Sequence, residues 1–326
     1  MSGGTDILTG VVQRLPQVGT AMRSQASHSP AAGGVARELF EVGGDVLPTH
    51  VDSKMLWTRI GADGVQQYLP QRRELHQAIV DSILAASKAQ PTDTPTATFM
   101  MGAPGSGKSK LIEQLRDEGS DAVLLETDAV KDGMPEYRSM VQRNLPHASD
   151  FVQQEARDIA DLLRDTAMSR RYDVIVDRSG GSSRYVDAVR QAKDRGYRTQ
   201  VMGAFTDDVE ILVERAHDRF LRTGRQVQPK VIREQYPMVS RNAGRFLEDR
   251  QTVDAIRLFD NTPDNAKPTL IAERQAEGAV VAHQPSRLRR ILYGAATATG
   301  VAIVAGGVAD GDRSRHLLDR PQDRAA

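Results

Sequence analysis

The chain has 326 residues, enough for one large core with extensions or for two small domains. Lys plus Arg and Asp plus Glu balance at 43 each, so no net charge draws the chain as a whole toward nucleic acid or an anionic membrane. Cysteine is absent, which excludes disulfides, thiolate catalysis and Cys-type zinc sites, and the seven His show no HxxxH or HxH spacing that would suggest a His-based metal site. Met1–Thr20 lacks the basic start and apolar run of a signal peptide, so a cytoplasmic location is expected.

Residues 1–48 are rich in Gly, Ser and Ala and read as a weakly structured leader, with a short helix over Val35–Val42. A helical extension and linker follow over 49–96. Its helix starts near Tyr68, puts Leu75, Ile79, Ile83 and Leu84 on one face, and ends at the breaker-rich AQPTDTPT of 89–96. From Ala97 strands and helices alternate. Strands are expected at Ala97–Met101, Ala122–Glu126, Asp173–Asp177, Thr199–Phe205 and Ala255–Phe259. Helices are expected at Lys108–Asp117, Ser149–Arg170, Ser183–Arg195, Val209–Arg222 and Lys230–Glu248. That alternation predicts an α/β fold, a three-layer parallel sheet with helices on both faces, over 97–284. Pro268–Glu273 and Ala279–His283 suggest a terminal hairpin. In the 285–326 tail, Ile291–Ala309 carries no charge for nineteen residues behind Arg287, Arg289 and Arg290, long enough to span a bilayer. Ten of the nineteen are Gly or Ala, which equally suits a small-residue helix packed on protein or a tail.

Between the first strand and its helix, Gly102-Ala103-Pro104-Gly105-Ser106-Gly107-Lys108-Ser109 matches G-x-x-x-x-G-K-[ST]. The glycines let backbone N–H groups turn inward around phosphate oxygens, and the helix directs its positive N-terminus to the same point. Lys108 is expected on the β- and γ-phosphates of ATP or GTP, and the Ser109 hydroxyl on Mg²⁺. Asp177 ends the apolar run Val174-Ile175-Val176, the pattern of a strand-end carboxylate on the Mg²⁺ side. Asp128 lies just past the second strand, at the sheet edge that faces the ligand crevice, where a carboxylate can take a proton from an attacking hydroxyl; Thr127 or Asp128 could equally cap the next helix. Arg215, Arg219 and Arg222 share one helical face, and Arg225 follows Thr223-Gly224. In small kinases such arginines come from a closing lid and meet the transferred phosphoryl group, although a solvated charge run would look the same.

Together these pieces resemble the zeta-toxin family of P-loop kinases over Ala97–Asn261. The resemblance is carried in order by GAPGSGKS at 102–109, TDAVK at 127–131 with Met134-Pro135-Glu136-Tyr137, Glu155-Ala156 with Ile159-Ala160, YDVIVDRSG at 172–180, VERAHDRFLRTGRQVQP at 213–229 and RLFDN at 257–261. It implies transfer of a γ-phosphate to the 3′-hydroxyl of UDP-N-acetylglucosamine, toxicity through loss of cell-wall precursor, and an antitoxin protein as partner. By residue match, Asp128 is the implied catalytic base, Lys108 and Ser109 the P-loop pair, and Arg215 and Arg225 the contacts to the transferred phosphoryl group. Lys131, Glu155 and Asp161 fall in the region implied to line the sugar-nucleotide site. Arg178 departs from the family's pattern, which has Gly there, as does Glu126, where many members have Asp. Two other classes fit the same residues. One is a P-loop kinase of another small molecule or a nucleic-acid 5′-hydroxyl, the latter disfavoured by zero net charge and 5% aromatic residues. The other is a nucleotide-binding module tethered to a membrane through 291–309.

Overall fold

The computed structural model describes residues 52–143, 145, 147–223, 227–262, 267–276 and 278–293, with three short strands at 39–42, 45–48 and 304–305. In chain order, the N-terminal part contains β1 (Leu39–Val42), β2 (Asp45–Pro48), α1 (Ser53–Trp57), β3 (Thr58–Ile60), β4 (Gln66–Tyr68) and α2 (Pro70–Ala86). Next come β5 (Thr96–Met101), α3 (Lys108–Asp117), β6 (Val123–Leu125), α4 (Thr127–Gly133), α5 (Pro135–Gln142), α6 (Ala148–Phe151), α7 (Gln153–Ser169) and β7 (Val174–Asp177). The last part holds α8 (Ser183–Asp194), β8 (Arg198–Phe205), α9 (Val209–Thr223), α10 (Pro229–Glu248), β9 (Ala255–Asp260), β10 (Thr269–Gln275), β11 (Val281–Ala282), α11 (Pro285–Tyr293) and β12 (Val304–Ala305).

Among the described residues the central sheet has eight strands in the order β12-β11-β10-β9-β8-β5-β7-β6. Its core of β6, β7, β5, β8 and β9 is parallel throughout, with Ala97 paired to Val174 on one side and Thr199 on the other. β10 turns antiparallel against β9 and β11 against β10, which is the expected terminal hairpin. The two-residue period of the strands divides the core between the two faces of the sheet. Phe99, Met101, Val174, Val176, Val201 and Leu258 face the larger cluster, under side chains from α2, α4, α7, α8, α10 and α11. Met100, Ile175, Met202 and Phe259 face the other way, against Leu111 and Ile112 of α3. The three-layer α/β architecture follows.

Two local readings are corrected. The helix expected over Val35–Val42 is a strand at Leu39–Val42, paired antiparallel with Asp45–Pro48; Leu-Phe-Glu-Val is aromatic and β-branched, and a Gly-Gly pair separates the two strands. The helix expected over Ser149–Arg170 breaks at Val152, whose ψ of 1° leaves the helical region while its side chain is fully buried. Most of the tail segment 291–309 lies outside the described residues. Among the described residues no helix is long and apolar enough to cross a membrane.

The N-terminal extension is fastened to the helices over the sheet by a buried polar knot. Arg72 of α2 donates to Glu136 of α5 at 2.6 and 3.1 Å and to Glu155 of α7 at 2.5 and 2.9 Å. His76 Nε2 lies 2.6 Å from the same Glu155 carboxylate, and the Ser53 hydroxyl of α1 donates to it at 2.7 Å. The guanidinium also sits over the Trp57 ring, 4.7 Å from its centroid. Burial alone would raise the pKa of Glu155. Hydrogen bonds from His76, Arg72 and Ser53, with the Arg72 charge, outweigh it and hold the carboxyl down at about 2. At the far end of the sheet the fully buried Arg274 of β10 gives its donors to the carbonyls of Leu247, Phe246, Asp249, Val253 and Ala276, closing the C-terminus of α10.

Removing one member of a buried ion network leaves its partner's charge uncompensated. Glu155→Gln is therefore expected to destabilise the fold by roughly 3 kcal/mol at neutral pH, measured by urea unfolding. The folded carboxyl is depressed below its ordinary 4.5, so its contribution is present above that pH and is lost as pH falls toward about 2. The stability gap between wild type and Glu155→Gln should narrow across that window.

Candidate active site

The parallel strands end on one edge, and each expected phosphate-site carboxylate or loop follows a strand there. β5 runs into the glycine loop, β7 ends on Asp177, and β6 leads through Glu126 into α4. Because β7 lies between β5 and β6, the strand leading to Asp128 is about 10 Å from the one leading to the glycine loop.

The loop of 102–109 has the conformation its glycines permit. Gly105 and Gly107 have φ of 85° and 95°, in the left-handed region that side chains disfavour. Their space is also taken. A Cβ on Gly105 would stand 2.7 Å from the Leu212 carbonyl oxygen, and one on Gly107 would stand 2.0 Å from Asn261 Nδ2. That last contact belongs to a clasp: Asn261, immediately after β9, donates from Nδ2 to the Ser106 carbonyl at 2.9 Å. From the β7 side, the Gly102 amide donates to the Ser179 carbonyl at 2.9 Å.

Lys108 opens α3 behind Gly107, donates to the Gly102 carbonyl at 3.0 Å and lies 4.0 Å from Asp177 Oδ1. Desolvation lowers its pKa, Asp177 partly restores it, and the neighbouring Arg219 charge lowers it again. Asp177 Oδ1 is buried without a hydrogen-bond partner, as is Ser106 Oγ. A buried carboxylate oxygen aimed at the P-loop, with the exposed Ser109 hydroxyl in the first turn of α3, fits a Mg²⁺ that arrives with a nucleotide and takes its other ligands from phosphates and water. No group of three or more metal-binding side chains occurs among the described residues, and a Mg²⁺ shared with phosphates needs none.

Arg215 of α9 reaches the same corner. Its two terminal nitrogens donate to the carbonyls of Asn261 at 2.8 Å and Thr262 at 3.1 Å. Arg225 lies outside the described residues. At the other end of the crevice, Glu126 occupies the N-cap of α4 and Asp128 falls inside the first turn, so neither Thr127 nor Asp128 is the cap. Lys131, one turn on, is buried and donates to Ser149 Oγ and Gln153 Oε1, both at 2.6 Å. Desolvation lowers its pKa; Asp150 opposes this and Arg157 adds to it. Glu155 is fully buried in the knot with Arg72 and His76, and Asp161, half exposed, pairs with Arg164 at 2.6 Å and Arg178 at 3.4 Å.

The structure thus gathers Lys108, Asp177, Arg215 and Arg219 about the loop. It adds one residue to which sequence reasoning gave no role, Asn261; the signal was available in Asp260-Asn261 directly after an apolar strand. Gly107→Ala is expected to abolish the rise in melting temperature that MgATP gives the wild type, because the added methyl displaces Asn261 and strains the loop; an unchanged rise would contradict the clasp geometry.

Comparison with known proteins bears on the fold. Structures of the AvrRxo1-ORF1:AvrRxo1-ORF2 complex have a similar fold. The complex with ATP has a TM-score of 0.57 at 15% identity, covering 78% of this chain and 85% of that one. The complex with sulphate ions has a TM-score of 0.57 at 16% identity with the same coverage, and the native complex has 0.56 at 15%, covering 74% and 82%. Sequence comparison with curated proteins gives no match. The Zeta toxin family model matches residues 80–268, which take in the P-loop, α4, Asp177, Arg215 and Asn261. This chain, with a P-loop kinase fold built around that loop, belongs to the Zeta toxin family.

Proposed function

We propose that the chain moves the γ-phosphate of ATP or GTP to the 3′-hydroxyl of UDP-N-acetylglucosamine and acts as the toxin of a toxin–antitoxin pair. The observation that carries the reading is Asp128 in the first turn of α4, on the strand-end edge shared with the P-loop and Asp177. Family membership, and a similar fold solved with ATP, support it.

In this reading the Asp128 carboxylate takes the acceptor's hydroxyl proton as the oxygen bonds to the γ-phosphorus. The bond from that phosphorus to the β,γ-bridging oxygen breaks, and the nucleoside diphosphate leaves. The inward N–H groups of 102–109 hold the β-phosphate, and Lys108 bridges toward the γ-phosphate. Arg215 meets the charge spreading over the transferred group, joined by Arg225. Ser109 and Asp177 would hold a Mg²⁺ that arrives with the nucleotide, and the ion would supply further neutralisation. Lys131 belongs to the acceptor side.

One observation favours a second acceptor. Glu155 and Asp161, implied for the sugar-nucleotide site, are engaged within the protein, Glu155 by Arg72 and His76 and Asp161 by Arg164 and Arg178. A pocket without those two carboxylates suits a different small hydroxyl acceptor.

The test incubates wild type and Asp128→Asn with MgATP and UDP-N-acetylglucosamine and resolves products by mass. A phosphorylated sugar nucleotide from wild type is expected, with turnover down by at least about 10² in the variant and MgATP affinity unchanged. Wild type that binds MgATP but leaves this acceptor untouched overturns the acceptor. Asp128→Asn at full rate overturns the base.

A further inference from the structure

We propose that Arg287, on α11 and beyond the residues matched to the family, is a positioning residue for the phosphate cradle. The proposal rests on the nucleotide-binding reading above and concerns what holds that site in shape.

Asp207 follows β8 and Asp260 ends β9, so two adjacent parallel strands deliver two carboxylates to one spot. The Thr262 hydroxyl lies between them, 2.5 Å from Asp260 Oδ1 and 3.2 Å from Asp207 Oδ1. A hydroxyl has one proton and can donate to only one of them. Arg287 supplies the rest: Nε donates to Asp260 Oδ2 at 2.6 Å, and a terminal nitrogen lies 3.0 Å from Asp207 Oδ2. Arg290, one turn on, stands 3.5 Å from the same Asp207 oxygen and is more exposed. A planar guanidinium can bridge two carboxylates in a way that an ammonium cannot.

The clamp matters because of what the next two residues do. Asn261 holds the P-loop through the Ser106 carbonyl, and the carbonyls of Asn261 and Thr262 hold Arg215. Asp260 fixes Thr262 further by accepting from its amide at 2.9 Å. Loss of Arg287 would leave like charges facing each other at the base of this turn. The turn would then relax, and both the loop clasp and the seat of Arg215 would loosen. The helix itself would stay, because Leu288 and Ile291 are fully buried against the core. The chain of effect runs from Arg287 through the Asp207–Asp260 pair to Asn261.

The experiment measures MgATP dissociation constants for the full chain by calorimetry, with melting temperatures taken without nucleotide, so no acceptor is needed. R287M is expected to bind about tenfold more weakly, a coupling of the size carried by positioning networks, and to melt at a lower temperature because the buried Asp260 carboxylate loses its charge partner. R287K should fall between, and R289M, which removes an exposed arginine of the same helix outside the clamp, should match wild type. D207N added to R287M should recover most of the affinity, because it removes the repulsion. Wild-type affinity in a folded R287M overturns the proposal. So does a loss that D207N fails to recover in protein that is fully folded at the temperature of the titration. Should R287M not fold, R287K with and without D207N decides by the same criteria. A wild type that does not bind MgATP overturns instead the nucleotide reading beneath it.

Discussion

A ring of inward-facing backbone N–H groups is hard to hold open, since each donor points at its neighbours' positive ends. The loop of 102–109 is braced from within by Lys108 on the Gly102 carbonyl and gripped from outside by the structure around it. Here the grip comes from two sides of the sheet edge. The Ser179 carbonyl receives the Gly102 amide where the loop begins, and Asn261 reaches across from β9 to the Ser106 carbonyl where it ends. The glycine at 107 is required as much by that Asn261 amide, which occupies the space of a Cβ, as by its own positive φ.

Charged groups gather about this loop. Lys108, Arg219 and Arg215 converge there, Asp177 is the carboxylate that faces Lys108, and its Oδ1 is buried without a hydrogen-bond partner. A divalent ion arriving with a nucleotide would give that buried carboxylate oxygen a close partner. The buried charge farther from the loop is arranged differently. In the knot of Arg72, Glu136, Glu155 and His76, the donors named all find protein acceptors, so it serves to attach α1 and α2 to the kinase layer.

Much of the architecture was legible because it rests on local patterns. The five parallel strands are short apolar runs bounded by breakers, and each lies within one or two residues of its expected limits. The P-loop was legible because its chemistry restricts residue type at four of eight positions. What stayed hidden depends on contacts between distant residues. α1, β3 and β4 are too short for periodicity to show. The break at Val152 coincides with full burial of that side chain, in an otherwise helical pattern. Glu155 and Arg72 stand 83 residues apart, and nothing near either one says that they meet. Asn261 was visible as part of a family motif, but its partner, a backbone carbonyl of Ser106, has no signature in sequence at all.

The central claim is that residues 102–109 form a phosphate cradle gripped from the end of β9. The most direct measurement is amide hydrogen exchange on the full chain, with and without a magnesium complex of a non-hydrolysable ATP analogue. The account predicts slowed exchange across 102–109 and, in step with it, across 260–262. Unchanged exchange in the loop at saturating analogue would contradict it, and so would slowing in the loop with none at Asn261.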